Sequence, residues 1–182
     1  MNREERVRAV VDGKVADRVP VSVWYHFSKY DQDPVSLADA EAEFVDHYDF
    51  DFIKMMPFGN YGIQDFGAKL NIYCQTGKPV TLAEPGIHTI EDYKNLPVIS
   101  GLQGTYGKQV EFARLLKQKV SPHTPIIQTI FSPLTTLHKL TGGKVLTDLK
   151  EHPEEVHHAL SVITEVTNDF IRYNIEAGVD GF

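Results

Sequence analysis

The chain has 182 residues, 42% of them hydrophobic and 24% charged, and a net charge of −7; this length and balance fit one globular domain with room for a sizeable core. The acidic balance argues against nucleic acid or an anionic membrane surface as the main partner, because both attract basic patches. Cys74 is the single cysteine, so no intrachain disulfide can form, and no run approaches the roughly 20 apolar residues of a membrane span. With a charged start, Met1-Asn2-Arg3-Glu4-Glu5-Arg6, that lacks an apolar leader core, the expectation is a cytoplasmic protein with no membrane partner.

The elements follow in chain order. Residues 3–12 place Val7, Val10 and Val11 at helical spacing, and Gly13 stops the helix. Val19 to Phe27 reads as a strand, opened by Pro20 and carried by Val21, Val23 and Tyr25. Residues 36–48 read as a helix with Ser36 as its N-cap and Asp39 as the acid three residues on. Phe50 to Met56 is a near-continuous apolar run ending at Pro57, the pattern of a buried parallel strand. Residues 58–100 are rich in Gly, Pro, Asn and Tyr, with strand-like pieces at Ala68–Tyr73 and Pro79–Leu82. They read as an excursion containing a β-hairpin, and long irregular insertions usually carry function or stay disordered.

Helical spacing returns over 105–120, with Val110, Phe112, Ala113, Leu115 and Leu116 on the apolar side. Pro125 to Phe131 reads as a strand, and Pro133 to Leu140 as a helix whose Pro suits the first turn. The longest helix spans 153–176, with Val156, Leu160, Ile163, Val166 and Phe170 along one face and Gly178 placed to end it. Gly178 to Phe182 begins a fourth core strand. The order β-α-β-(excursion)-α-β-α-β predicts parallel α/β architecture. A chain that stops as a strand begins leaves an open parallel edge.

Four segments together resemble the uroporphyrinogen decarboxylase superfamily. They are Arg3-Glu4-Glu5-Arg6-Val7 through Asp17-Arg18-Val19-Pro20-Val21; Tyr48-Asp49-Phe50-Asp51-Phe52-Ile53-Lys54; Ser132-Pro133-Leu134-Thr135-Thr136-Leu137 with Gly142-Gly143; and Ile175-Glu176-Ala177-Gly178-Val179-Asp180. The resemblance covers nearly all of residues 1–182 and implies the first half of a (β/α)₈ TIM barrel, with 58–100 as an excursion after the second strand. It implies two chemistries: decarboxylation of the acetate arms of uroporphyrinogen without a cofactor, and methyl transfer involving corrinoids and thiols, usually with zinc. The decarboxylases carry an Arg-Gln-Ala-Gly-Arg segment after the first strand, and guanidinium forks suit a substrate with many carboxylates. Here Tyr25-His26-Phe27-Ser28-Lys29-Tyr30 stands there instead. No acid occupies the place of their aspartate near Phe58, Gly59 and Asn60, and their helix tyrosine falls near His138 or Lys139. The methyltransferases' zinc ligands, a His-x-Cys pair and a distant Cys, belong to the family's second half. The resemblance therefore implies no cofactor in this half, with zinc and a corrinoid for a methyltransferase.

Barrel active sites lie at the C-terminal ends of the strands, which selects candidates without the resemblance. After the first strand come Tyr25 and His26, the latter able to bind an anion or relay a proton near neutrality. Lys54 ends the second strand in an apolar run, where burial disfavours its charge unless an acid or a ligand meets it. Asn60 and Tyr61 would overhang the mouth. Ser132 and Thr135 start a helix, where free N–H groups favour an anion or an N-cap is formed. Asp180 would face the site or cap a following helix. His26, Lys54 and Asn60 are the catalytic candidates; Tyr25, Tyr61, Ser132, Thr135 and Asp180 are the substrate-binding ones. No metal site is expected, because His152, His157 and His158 lack the i, i+4 spacing of paired ligands. Cys74 has no flanking ligand, and Gly101-x-x-Gly104-x-x-Gly107 follows no strand. The partner expected is a small anionic substrate, with either homodimerisation or association with a C-terminal half. The functional expectation is a decarboxylase-like enzyme for a porphyrinogen-like or other carboxylated substrate; the alternatives are a methyltransferase of the same superfamily and a non-catalytic truncated fragment.

Overall fold

The computed structural model describes residues 1–182. Helix α1 (Arg3–Val11) opens on a reciprocal cap: Glu5 N–H donates to the Asn2 side chain, and Asn2 N–H donates to the Glu5 carboxylate. The segment 19–27, expected as a strand, runs extended beside residues 51–53. It makes one backbone bond there, Asp51 N–H to the Val21 carbonyl at 2.8 Å, and Ser22 Oγ donates to the Phe52 carbonyl at 2.7 Å. Pro20 supplies no donor, and no strand lies on the segment's other edge, so no ladder assembles.

Helix α2 (Pro34–Tyr48) starts two residues before its expected start. Its N-cap is Asp33, which accepts from both the N–H and the hydroxyl of Ser36; a carboxylate one turn earlier displaces Ser36 from the capping role. The parallel core is narrower than the apolar runs suggest: β1 (Ile53–Lys54) pairs with β4 (Ile126–Ile127) in register Ile53↔Ile126. Bonds from Ile53 N–H to Pro125 O and from Met55 N–H to Ile127 O, each 2.9 Å, continue that ladder. The fourth segment joins it through Asp180 N–H to Ile126 O and Gln128 N–H to Gly181 O, also 2.9 Å each. Spatial order thus follows chain order across 21–23, 53–55, 126–128 and 180–182.

Between β1 and β4 the excursion is ordered. It contains α3 (Tyr61–Gln64), an antiparallel ribbon of β2 (Lys69–Asn71) with β3 (Thr81–Glu84), and α4 (Ile90–Lys94). Asp65 ties it to the start of α5 (Gly104–Lys119), accepting from Thr105 N–H at 2.7 Å and from the Thr105 hydroxyl at 2.6 Å. Gly86 and Ile87 N–H groups bond to the Leu140 carbonyl, and an added Cβ at Gly86 would lie 2.8 Å from the Phe66 carbonyl. After β4 come α6 (Pro133–Leu140), α7 (Val145–Glu151) and α8 (Pro153–Glu176).

Helices α2, α5 and α8 pack side by side over one face of the sheet. Ile53, Met55, Ile126 and Gln128 are buried beneath them, whereas the alternating Lys54, Ile127 and Thr129 are only partly buried, as a period of two requires. Leu37, Phe112, Leu116, Ile163 and Phe170 fill the layer between. Gln128 keeps its buried amide satisfied by donating to Asn174 at 3.0 Å.

At the N-terminal end of the sheet sits Asp51, whose side chain is fully buried. It accepts from Arg6 at 2.6 Å, from Arg18 at 2.5 and 2.9 Å, and from Val21 N–H at 2.7 Å. Burial pushes its carboxyl up; the Val21 N–H and the two guanidiniums outweigh that and hold it below its ordinary value. Removing one partner of such a buried pair strands the other charge. Asp51→Ala is therefore expected to lose about 3–5 kcal/mol, read as a drop in the urea midpoint. An unchanged midpoint would show that the charges are not coupled to folding.

Candidate functional site

Residues 24–27 alternate across the chain's first segment. Tyr25 and Phe27 turn to the helix side, where Tyr25 lies 5.0 Å from Phe27 and 6.3 Å from Phe44, ring centre to ring centre. Trp24 and His26 stand on the other side, 5.9 Å apart edge to face. The Lys54 ammonium lies 4.7 Å from the centre of the Trp24 ring, a cation–π contact that stabilises the charge without neutralising it. Burial lowers the His26 pKa, Lys54 lowers it further, and Asp31 opposes both. The imidazole therefore favours its neutral form and can accept a proton. Asp31 is itself raised, first by burial. His26 and Lys54 thus converge at the C-terminal end of the sheet, on its open face.

The other candidates divide. Ser132 is the N-cap of α6: it accepts from Thr135 N–H at 3.1 Å, and the two hydroxyls lie 3.0 Å apart. Both are exposed just past β4, at the same end as Lys54. Asn60 starts α3 without capping it and reaches the Val80 carbonyl at 3.4 Å. Three substrate-binding expectations need correction. Tyr25 packs on Phe44 of α2, because one step along an extended chain reverses the face. Tyr61 is 1% exposed and donates its hydroxyl to the Thr129 carbonyl at 3.0 Å. Its ring packs 5.7 Å from Tyr106 and 5.8 Å from Phe170, which makes it core. Asp180 stands at the N-terminal end of the fourth segment, the opposite end from Lys54. It takes the Ile126 N–H and pairs with Lys117, both at 2.9 Å.

A cleft of about 290 Å³ opens at that opposite end, lined by Val7, Val11, Pro125, Asp180 and Phe182 among others. Its cations, Arg8 and Lys117, already pair with Glu4 and Asp180, and the end it occupies in a β/α fold serves stability rather than chemistry. The mouth beside Trp24 is therefore the candidate site.

Two groups near the mouth stand outside the candidate residues, although the resemblance sets the decarboxylases' helix tyrosine near Lys139. Lys139 of α6 donates to the Gly59 carbonyl and lies 3.4 Å from the centre of the Phe131 ring; burial lowers its pKa. Glu41 of α2 is 3% exposed. One of its oxygens accepts from Met56 N–H at 2.8 Å, the other has no partner, and burial pushes its carboxyl up to about 8. Periodicity could have flagged Glu41, which follows Leu37 and precedes Val45 on the buried face of α2.

The sequence matches the uroporphyrinogen decarboxylase (URO-D) family over residues 2–182. The chain belongs to that family. Among solved structures, a methyltransferase from Methanosarcina mazei superposes with a TM-score of 0.81 at 18% identity, covering 99% of this chain and 57% of that one. That likeness establishes a shared α/β fold, and this chain spans just over half the neighbour's length. No curated protein matches. No helix is long and apolar enough to cross a membrane.

Glu41 gives a prediction for pH. The unfolded chain releases this proton near pH 4.5 and the folded chain near 8. Between those values the native state holds the extra proton, so stability falls as pH rises, by up to about 1.4 kcal/mol per unit. Glu41→Gln should raise the thermal midpoint at pH 8 far more than at pH 5. Equal gains at both would mean that the carboxyl ionises normally.

Proposed function

We propose that this chain forms the substrate-anion side of a uroporphyrinogen decarboxylase-family enzyme acting on a small carboxylated substrate, with decarboxylation as the nominal reaction. The observation that carries it is Lys54: an ammonium at the C-terminal end of β1, set against Trp24 and beside His26, with no carboxylate within 4 Å. A substrate carboxylate would supply the missing charge. Loss of CO2 leaves an electron pair on the substrate carbon, and His26, after taking a proton from solvent, would deliver it to that carbon. Uroporphyrinogen itself is disfavoured, because residues 25–32 contain no arginine and Lys29 is their only cation.

Methyl transfer is the second reading, favoured by that same missing arginine. No group of three or more His, Cys, Asp or Glu side chains converges in this chain, so its residues do not fit a zinc centre, and no step here passes through one. The open edges along 21–23 and 180–182 suit pairing with a complementary C-terminal β/α half, a partner that light scattering of the mixed chains would reveal.

Two measurements test the proposal. Lys54→Met should weaken succinate binding by roughly 1.5–3 kcal/mol, the worth of a hydrogen bond to a charged group, while leaving the melting temperature nearly unchanged. A large stability loss with unchanged binding would remove Lys54 from the site. Uroporphyrinogen turnover should be absent or very slow, and a rate like that of a dedicated decarboxylase would overturn the substrate reading.

A further inference from the structure

Three lysines are partly buried: Lys54, Lys117 and Lys139. Lys117 pairs with Asp180 at the N-terminal end of the sheet. The exposed lysines 14, 69, 94 and 119 also have carboxylate partners. Lys139 has none within 4 Å. Its contacts are the Gly59 carbonyl, in the turn after β1, and the face of Phe131, just past β4. These two neutral contacts fix the ammonium between the ends of neighbouring strands. They use one of its three N–H donors and leave its charge uncompensated while burial works against it. A cation held in place by neutral groups, partly withdrawn from water and with donors to spare, is prepared for an anion that arrives from outside.

We infer that Lys139 is a second anion anchor of the mouth, taking a carboxylate group of the substrate on its free N–H donors. It rests on the carboxylated-substrate reading and adds to it a specific second contact. The ligand class narrows accordingly, to molecules whose carboxylates reach both the Trp24–Lys54 side and the Phe131–Lys139 side. Neighbouring groups are compatible: the Ser132 and Thr135 hydroxyls are exposed at the start of the same helix, and no acid lies against Lys139 to repel the incoming charge.

The test reads Lys139 directly. Amine acylation requires the neutral amine, so an ammonium held protonated by a bound carboxylate reacts more slowly. The full chain is labelled with acetic anhydride in succinate, phosphate or chloride at one ionic strength, and each lysine is followed by mass spectrometry. Succinate should slow labelling of Lys139 about tenfold, as one charged hydrogen bond would, and leave exposed Lys144 and Lys150 unaffected. Protection no greater than that given by chloride, or no greater than that given by phosphate, overturns the inference. The same labelling on Lys54→Met, with succinate raised until labelling no longer changes so that the weakened site is refilled, separates the two readings. Lys139 protection that persists there supports an independent anchor, even if Lys54 proves to bind nothing. Protection lost with Lys54 assigns the ligand to Lys54 alone and overturns the second anchor.

Discussion

The fold hangs on the carboxylate of Asp51. A fully buried acid at the start of β1 is costly unless it is met by charge and hydrogen bonds. Here Arg6, Arg18 and Val21 N–H all meet it. Arg6 also reaches Asp17 at 2.7 and 2.9 Å and the Met1 carbonyl. One group thus fastens α1, the loop through 17–18 and the extended segment 19–27 to the sheet. Without it, residues 21–27 would have one backbone bond to keep them beside β1. The placing of Trp24 and His26 over Lys54 therefore depends on an ion-pair cluster at the other end of the same two segments.

The two ends of the sheet treat charge differently. At the N-terminal end every buried or half-buried cation has an acid: Arg3 with Asp46 and Asp49, Arg6 with Asp17 and Asp51, Lys117 with Asp180. At the C-terminal end Lys54 and Lys139 rest on aromatic rings. Rings stabilise a cation while leaving its charge available to a ligand. The acidic chain as a whole supplies enough carboxylates to pair both lysines, so their isolation is a matter of placement.

Helices were the most legible elements of the sequence, and the reason is range. The repeat Val156, Leu160, Ile163, Val166, Phe170 with Gly178 after it places α8 over Pro153–Glu176, because helix bonds and caps are local. Strands need partners elsewhere in the chain, so the apolar runs 50–56 and 125–131 overstate β1 and β4. Helices α3, α4 and α7 have too few turns to show a period. Lys54 was readable as a cation in an apolar run. Tyr61 and Asp180 were not: one is withdrawn into the core by Tyr106 and Phe170, contacts more than forty residues away, and the other depends on which end of a short strand it occupies.

The segments that resemble the family lie mostly away from the mouth, and this limits what membership means. Arg3, Arg6, Asp17, Arg18, Asp49 and Asp51 form the charged floor. The Gly142-Gly143 turn has φ values of 62° and 101° that favour glycine and ends α6. Gly178 does the same for α8 at φ 96°. These residues specify how β/α units start, stop and fasten together. Chemistry in such folds is set by the residues that follow the strands. Among those positions His26, Asn60 and Lys139 are where this chain departs from the decarboxylase pattern, whereas Lys54 closes a segment that resembles it. A floor built for stability and a mouth built from different side chains can vary separately, because the pairing at Asp51 sets the first segment beside β1 whatever residues stand at their far ends.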